Sequence, residues 1–122
     1  ALISTGSLVK AVVDAAEILA TRGIQAAVLS MHTVKPLDSA AIARVAGAAK
    51  LLVTVEEHSL IGGLGSAVAE SVVDQGLGVR MLRLGLEDRI IEGAGSHAWL
   101  KERAGLTAEK IAGRVEEAVK KG

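Results

Sequence analysis

Two adjacent carboxylates and an imidazole, Glu56, Glu57 and His58, stand between an apolar run and a glycine-rich segment. The apolar run 51–55 has the length of a buried strand, and the stretch after the glycines has the amphipathic spacing of a helix. A strand that passes through a glycine-rich turn into a helix is where open α/β sheets place ligands and contacts. The segment 56–65 is therefore the first candidate for a functional site.

The three polar residues of this segment admit two interpretations. Glu56 and Glu57 are adjacent, so in an extended segment they point to opposite sides and make a poor acid/base pair. Glu57 and His58 could instead act as a general base and the group that orients it. The alternative is that these side chains accept hydrogen bonds from neighbouring loop N–H groups, or contact another subunit.

The glycines at 62, 63 and 65 also admit two interpretations. Backbone N–H groups at a helix N-terminus could bind a phosphate. However, Gly62-Gly63-Leu64-Gly65 lacks the Lys-Ser/Thr ending of a P-loop and does not have the Gly-x-Gly-x-x-Gly spacing. The alternative is that Gly62, Gly63 and Gly65 permit a tight turn and a close approach of the helix.

A second polar turn follows the first predicted strand. It consists of Ser4, Thr5, Gly6 and Ser7. These residues could hold an anion, although an N-cap of the first helix by Ser7 is the simpler interpretation. Such a turn supplies hydroxyl groups but no base beside them, so it does not by itself indicate nucleophilic catalysis.

The remaining chemistry-bearing residues do not form a recognisable motif. His32, His58 and His97 are too scattered for a metal-binding pattern, and the chain contains no cysteine. We therefore predict no metal site and no catalytic residue in this chain.

Composition excludes several classes of partner. Lys plus Arg and Asp plus Glu both number 14, so the net charge is zero, and Trp99 is the only aromatic residue. Nucleic-acid binders are usually basic and often carry aromatic stacking platforms, so we expect no nucleic-acid partner. No apolar stretch approaches the length of roughly 20 residues that spans a bilayer. We expect a cytoplasmic domain that contacts no membrane.

Hydrophobic periodicity predicts alternating strands and helices. Asp38, Ser96 and Thr107 are predicted N-caps of the second helix and of two later helices. Residues 89–95 are predicted to be irregular. The predicted strands are 1–4, 24–31, 50–55 and 79–84.

Near-continuous apolar strands that alternate with helices indicate an α/β fold, a three-layer α/β/α sandwich with a mainly parallel sheet. The predicted strand order is 2-1-3-4, which places the turns at 4–7 and 56–65 on one crevice.

Four stretches together resemble the C-terminal domain of the thiamine-diphosphate-dependent transketolase family. The resemblance extends over essentially the whole chain, and the four stretches in this order form a specific signature. They are Ser4-Thr5-Gly6-Ser7, the segment Met31-His32-Thr33-Val34-Lys35-Pro36-Leu37-Asp38, the segment Val55-Glu56-Glu57-His58-Ser59 with Gly62-Gly63-Leu64-Gly65-Ser66-Ala67-Val68, and Gly105-Leu106-Thr107. The second stretch is most similar to the C-terminal part of a split transketolase. The 1-deoxy-D-xylulose-5-phosphate synthases share much of the pattern, but usually have Pro-Asp-Arg-Phe where this chain has Glu87-Asp88-Arg89-Ile90.

The resemblance implies a division of labour within a larger enzyme. Residues 1–122 would form a single C-terminal-type domain, a fragment of a longer chain or assembly. Cofactor-binding domains or a partner subunit would hold thiamine diphosphate and Mg²⁺, and this chain would bind neither alone. The assembly would be a homodimer or a heterotetramer.

Within that assembly, the implied reaction transfers a two-carbon ketol unit between sugar phosphates. This chain would serve structure and assembly, and the candidate contact residues are those of the two turns. The alternatives are the C-terminal domain of 1-deoxy-D-xylulose-5-phosphate synthase, or a stand-alone module that binds an anion or nucleotide.

Overall fold

The computed structural model describes residues 1–86 and 95–122. A short 3-10 turn, Gly6–Leu8, leads directly into the first helix. The strands are β1 (Leu2–Ser4), β2 (Val28–Ser30), β3 (Leu51–Ser59) and β4 (Arg80–Leu86), and the helices are α1 (Val9–Thr21), α2 (Ser39–Ala48), α3 (Leu64–Asp74), α4 (His97–Ala104) and α5 (Ala108–Lys120). The prediction of irregular structure at 89–95 falls outside the described residues except for Gly95.

The sheet has the predicted order, β2-β1-β3-β4, and its three strand pairings are parallel. β1 and β3 are central neighbours, although two α-helices and a strand separate them in sequence. The direction of winding therefore reverses between β1 and β3. The segments that leave the carboxyl ends of these two strands diverge there, which opens a crevice between them.

Helices cover both faces of the sheet, which confirms the three-layer sandwich. Side-chain alternation in the strands separates two cores. Leu2 and Val53 face the core formed with α1 and α5, whereas Ile3 and Leu52 face the core formed with α2 and α3. Because β1 and residues 51–55 of β3 are buried on both faces, these stretches are mostly apolar rather than alternating.

Three of the predicted strands have different bounds in the structure. β2 is an edge strand that pairs only with β1, over three residues, so it is much shorter than 24–31. β3 is a central strand, and its contact with β4 continues from Leu51 to Ser59. The strand therefore contains the three polar residues that were predicted to lie in a turn. β4 likewise runs through Gly85, where a boundary was predicted.

Three of the predicted helix caps are present. The Asp38 carboxylate accepts a hydrogen bond from the Ala41 N–H at 2.9 Å. The hydroxyl groups of Ser96 and Thr107 cap α4 and α5. The cap predicted at Ser7 is absent, because the Ser7 Oγ donates instead to a carboxylate on β3. Within the described ranges, no helix is both long and apolar enough to cross a bilayer.

Candidate functional site

Glu56 is a buried carboxylate that caps the amino end of α3. Its side chain points toward α3, on the same face of β3 as Thr54, and the residue is 2% exposed. One carboxylate oxygen accepts the Leu64 N–H at 2.7 Å, and the other accepts the Gly65 N–H at 2.8 Å. These are donors that an α-helix leaves without intrahelical partners, and a negative charge there is also favoured by the helix dipole.

Gly63 and Gly65 allow the helix to approach this carboxylate. A Cβ atom on Gly63 would lie within van der Waals overlap of Glu56 Oε2. A Cβ atom on Gly65 would lie 2.9 Å from Thr54 Oγ1 and 3.0 Å from Glu56 Oε1. Gly62 serves the turn itself, since its φ of +78° is one that residues with a side chain rarely adopt. The close-approach interpretation of the glycines is therefore the one that the structure supports.

The turn between β3 and α3 is braced by its own hydrogen bonds. The Ser66 hydroxyl accepts the Gly62 N–H at 3.1 Å and donates to the Leu60 carbonyl at 3.0 Å. The Arg83 guanidinium, from β4, donates to the same carbonyl at 3.2 Å. Ile61 lies at the tip of this turn with 70% of its surface exposed. The turn thus displays one large apolar side chain on an ordered backbone.

Glu57 points to the other side of β3, as the adjacent spacing predicted. Its carboxylate accepts a hydrogen bond from Ser7 Oγ at 2.6 Å and pairs with the His97 imidazole of α4. The Ser7 hydrogen bond lowers the pKa of the Glu57 carboxyl below its usual value, partial burial opposes this shift, and His97 and Lys101 add to it. Glu57 therefore joins the end of β3 to the turn that follows β1.

Of the two interpretations of these residues, the pairing of Glu57 with His58 is not formed. His58 is exposed, and its Nδ1 lies 2.9 Å from the Ser59 carbonyl oxygen rather than near a carboxylate. The Glu57 carboxylate is already engaged by Ser7 and His97. These two side chains accordingly do not have the geometry of a general base and the group that orients it.

The two predicted turns meet at the switch point between β1 and β3. They line a crevice of about 420 Å³. Its walls are Thr5, Gly6, Ser7, Val34, Glu56, Glu57, His58, Gly62, Gly63 and Leu64. Ser4 and Gly65 are buried beneath this surface, and the Ser4 hydroxyl donates to the Val55 carbonyl at 2.9 Å. Eight of the ten candidate residues thus lie on one surface.

The crevice does not suit a diphosphate. The first N–H groups of α3 are bonded to Glu56, and a second carboxylate, Glu57, lies on the same wall. Both features oppose an anion. Among residues 1–86 and 95–122, no three His, Asp or Glu side chains converge as metal ligands would. The residues at this crevice therefore do not favour the diphosphate group of a cofactor.

A buried hydroxyl beneath the site lacks a hydrogen-bond partner. Thr54 Oγ1 is fully buried on the α3 side of β3, next to Gly65, and no described group bonds to it. Valine has nearly the same shape and removes the unsatisfied polar atom. We expect Thr54→Val to raise the free energy of unfolding by about 1 kcal/mol, measured by urea denaturation. A loss of stability would mean that the hydroxyl has a partner in solution.

Sequence reasoning missed three functional contacts of this site. It placed Glu56 in a loop, although its position, two residues after Thr54 and four after Leu52, already puts it on the α3 face of an extended strand. It found no role for Arg83 in bracing the turn. It also missed the pairing of His97 with Glu57, since no local signal connects residues 40 positions apart.

The family model described as "Transketolase, C-terminal domain" matches residues 1–111. The chain is 48% identical over 114 residues to 1-deoxy-D-xylulose-5-phosphate synthase of Thermomicrobium roseum, covering 93% of this chain and 18% of that protein. It is 41% identical over 120 residues to a chain of Methanocaldococcus jannaschii that is named for a transketolase C-terminal section, covering 98% of this chain and 37% of that one.

A solved structure has the same fold. It is described as a split gene transketolase, an inactive beta4 tetramer, and it superimposes with a TM-score of 0.88 at 34% identity. The match covers 98% of this chain and 38% of that one. The chain thus spans well under half the length of each of these relatives.

The match over most of the chain agrees with the observed strand order, the three layers and the four sequence stretches. On these grounds the chain belongs to the transketolase C-terminal-domain family.

Proposed function

We propose that this chain is the structural and assembly domain of a thiamine-diphosphate-dependent enzyme of transketolase type. In this proposal residues 1–122 are one domain of a longer chain or of an assembly in the cytoplasm. Other domains or a partner subunit hold the cofactor and Mg²⁺, and the assembled protein is a homodimer or a heterotetramer. Its reaction is the transfer of a two-carbon ketol unit between sugar phosphates.

One observation carries the proposal. The N–H groups at the amino end of α3, which borders the crevice, are occupied by the chain's own Glu56 carboxylate. A backbone held this firmly, with an exposed apolar side chain at its tip, is typical of a contact surface, because preorganised loops lose little entropy on association. The same occupancy argues against the alternative of a stand-alone module that binds an anion or nucleotide.

A second candidate for the parent reaction is the synthesis of 1-deoxy-D-xylulose 5-phosphate. The relative of that name from Thermomicrobium roseum is 48% identical to this chain, and this similarity favours the candidate. Two chimeras separate the candidates. In one, this chain replaces the matching C-terminal region of that synthase. In the other, it replaces the matching region of the split-gene transketolase, together with the partner chain needed for activity. The proposal expects at least one chimera to assemble and turn over its substrate.

The contact surface itself is tested with Ile61→Asp in the chimera that assembles. An aspartate at the exposed tip should not disturb the fold, but a buried charge at an interface should weaken association by about 10- to 100-fold. The measurement is the subunit dissociation constant by analytical ultracentrifugation, with turnover as a second readout.

A matched control is available on the outer face of α3. Val73 is 76% exposed, which is close to the 70% of Ile61, but it lies in the last turn of α3, at the opposite end of the helix from the turn that carries Ile61. Val73→Asp should leave association and turnover unchanged. Equal effects of the two substitutions, or no effect of Ile61→Asp, would count against a contact at this turn.

A further inference from the structure

α4 is held differently at its two ends. Its carboxyl end is anchored, because Leu106 is almost fully buried and its N–H donates to the Lys101 carbonyl at 2.9 Å. Ala104 packs against the core between α1, α5 and the sheet. None of the residues of α4 itself is fully buried. The packing of the helix body is therefore weaker than that of the segment that follows it.

The amino end of α4 contacts the sheet through an ionisable pair. His97, the first residue of the helix, lies against the Glu57 carboxylate at the end of β3. The other oxygen of this carboxylate is fixed by Ser7 Oγ at 2.6 Å. Both members are reachable by solvent, since 58% of the His97 side chain and 31% of the Glu57 side chain are exposed.

We propose that the Glu57–His97 pair is a pH-sensitive latch that holds the amino end of α4 against the carboxyl end of the sheet. The latch joins α4 to a wall of the crevice, and it is contained within this chain. It therefore operates, and can be tested, whether or not the crevice contacts a partner.

The charges around the pair define when the latch is closed. Glu57 faces the Ser7 hydroxyl from the turn before α1, and it faces His97 and Lys101 from α4. A cation at the first residue of a helix is disfavoured by the helix dipole, and the Glu57 carboxylate offsets this. The attraction is complete only when the imidazole is protonated and the carboxylate is ionised.

The sign of the pH dependence follows from the charges that the two side chains need. Imidazoles lose their charge near neutral pH, so a rise in pH through this range weakens the latch. The lowered pKa of Glu57 keeps the carboxylate ionised in mildly acidic solution. The latch is therefore firmest in mildly acidic solution and loosens toward alkaline pH.

Trp99 is a fluorescent probe on the helix that the latch holds. It is the only tryptophan of the chain and lies on α4, two residues from His97. Between about pH 5.5 and 8, we expect its fluorescence to titrate with a single midpoint. The α4 amides should lose hydrogen-exchange protection by about two- to fivefold, the range for a solvent-exposed ion pair.

Substitutions of His97 and Glu57 test whether this pair causes the pH dependence. His97→Gln, at an exposed position, should abolish the Trp99 transition and leave far-UV circular dichroism unchanged, and Glu57→Gln should do the same. His58→Gln is the matched control, because His58 is exposed on the same strand but contacts the Ser59 carbonyl, and it should keep the transition. A transition that persists in His97→Gln, or its absence from the unmodified chain, would overturn the latch.

Discussion

Replacing Glu56 by alanine is expected to lower the free energy of unfolding by about 3 kcal/mol, equivalent to a fall of about 10 °C in the melting temperature. The substitution removes a buried carboxylate and leaves the N–H groups of Leu64 and Gly65 without their acceptors. It also removes the negative charge that complements the dipole of α3. Urea denaturation followed by circular dichroism measures the change.

Two further variants separate the cap from a general effect of removing charge. Glu56→Gln retains one carbonyl acceptor but directs an amide NH₂ group at the second N–H donor, so it should recover only a small part of the loss. Glu70→Ala lies on the exposed side of the same helix and should change stability by less than about 0.5 kcal/mol. Comparable losses for Glu56→Ala and Glu70→Ala would refute the capping role.

Gly63→Ala should destabilise the protein by about 2 to 4 kcal/mol, because its methyl group would occupy the space of the Glu56 carboxylate. The carboxylate must move, and the hydrogen bonds to the first turn of α3 are then distorted or lost. A double-mutant cycle isolates this cause. In the Glu56→Ala background the cost of Gly63→Ala should fall by at least half, since the clashing group is absent.

Glycines elsewhere in the chain serve as controls for the loss of backbone freedom. Gly47 in α2 and Gly113 in α5 are exposed, and a Cβ atom on either would meet open space. Gly47→Ala and Gly113→Ala should each raise the free energy of unfolding by about 0.5 to 1 kcal/mol. If Gly63→Ala were equally stabilising, the close approach of Glu56 to the turn would be incorrect.

The order of the strands could be predicted from the sequence, and the physical reason is local. Apolar runs such as 51–55 have no polar face, so they must be covered on both sides, and parallel strands with right-handed crossovers then allow few arrangements. The caps at Asp38, Ser96 and Thr107 could also be predicted from the sequence, because each cap side chain bonds to the N–H three residues later.

The interior of the site could not be predicted in the same way. Whether Glu56 turns inward depends on the path of the backbone between it and Leu64, and that path depends on Arg83 and Ser66. The link between Glu57 and His97 depends on the position of α4, which no local pattern specifies. Sequence reasoning located the surface, therefore, but not the hydrogen bonds that shape it.

Hydrogen bonding accounts for both carboxylates of the segment 56–65 without any reaction. Glu56 caps the amino end of α3. Glu57, at the end of β3, contacts Ser7 in the turn after β1 and His97 in α4. Carboxylates engaged in this way are poorly placed for proton transfer to a substrate. This use of both carboxylates supports the proposal that the reactive groups lie in other parts of the assembly.

The most direct measurement is the melting temperature of this chain titrated with thiamine diphosphate and Mg²⁺. Ligand binding to the folded state raises the melting temperature with ligand concentration. We predict that the chain alone stays within about 1 °C across millimolar cofactor, while an assembled chimera responds. A saturable rise of several degrees in the chain alone would contradict the account, because it would place a cofactor site within these 122 residues.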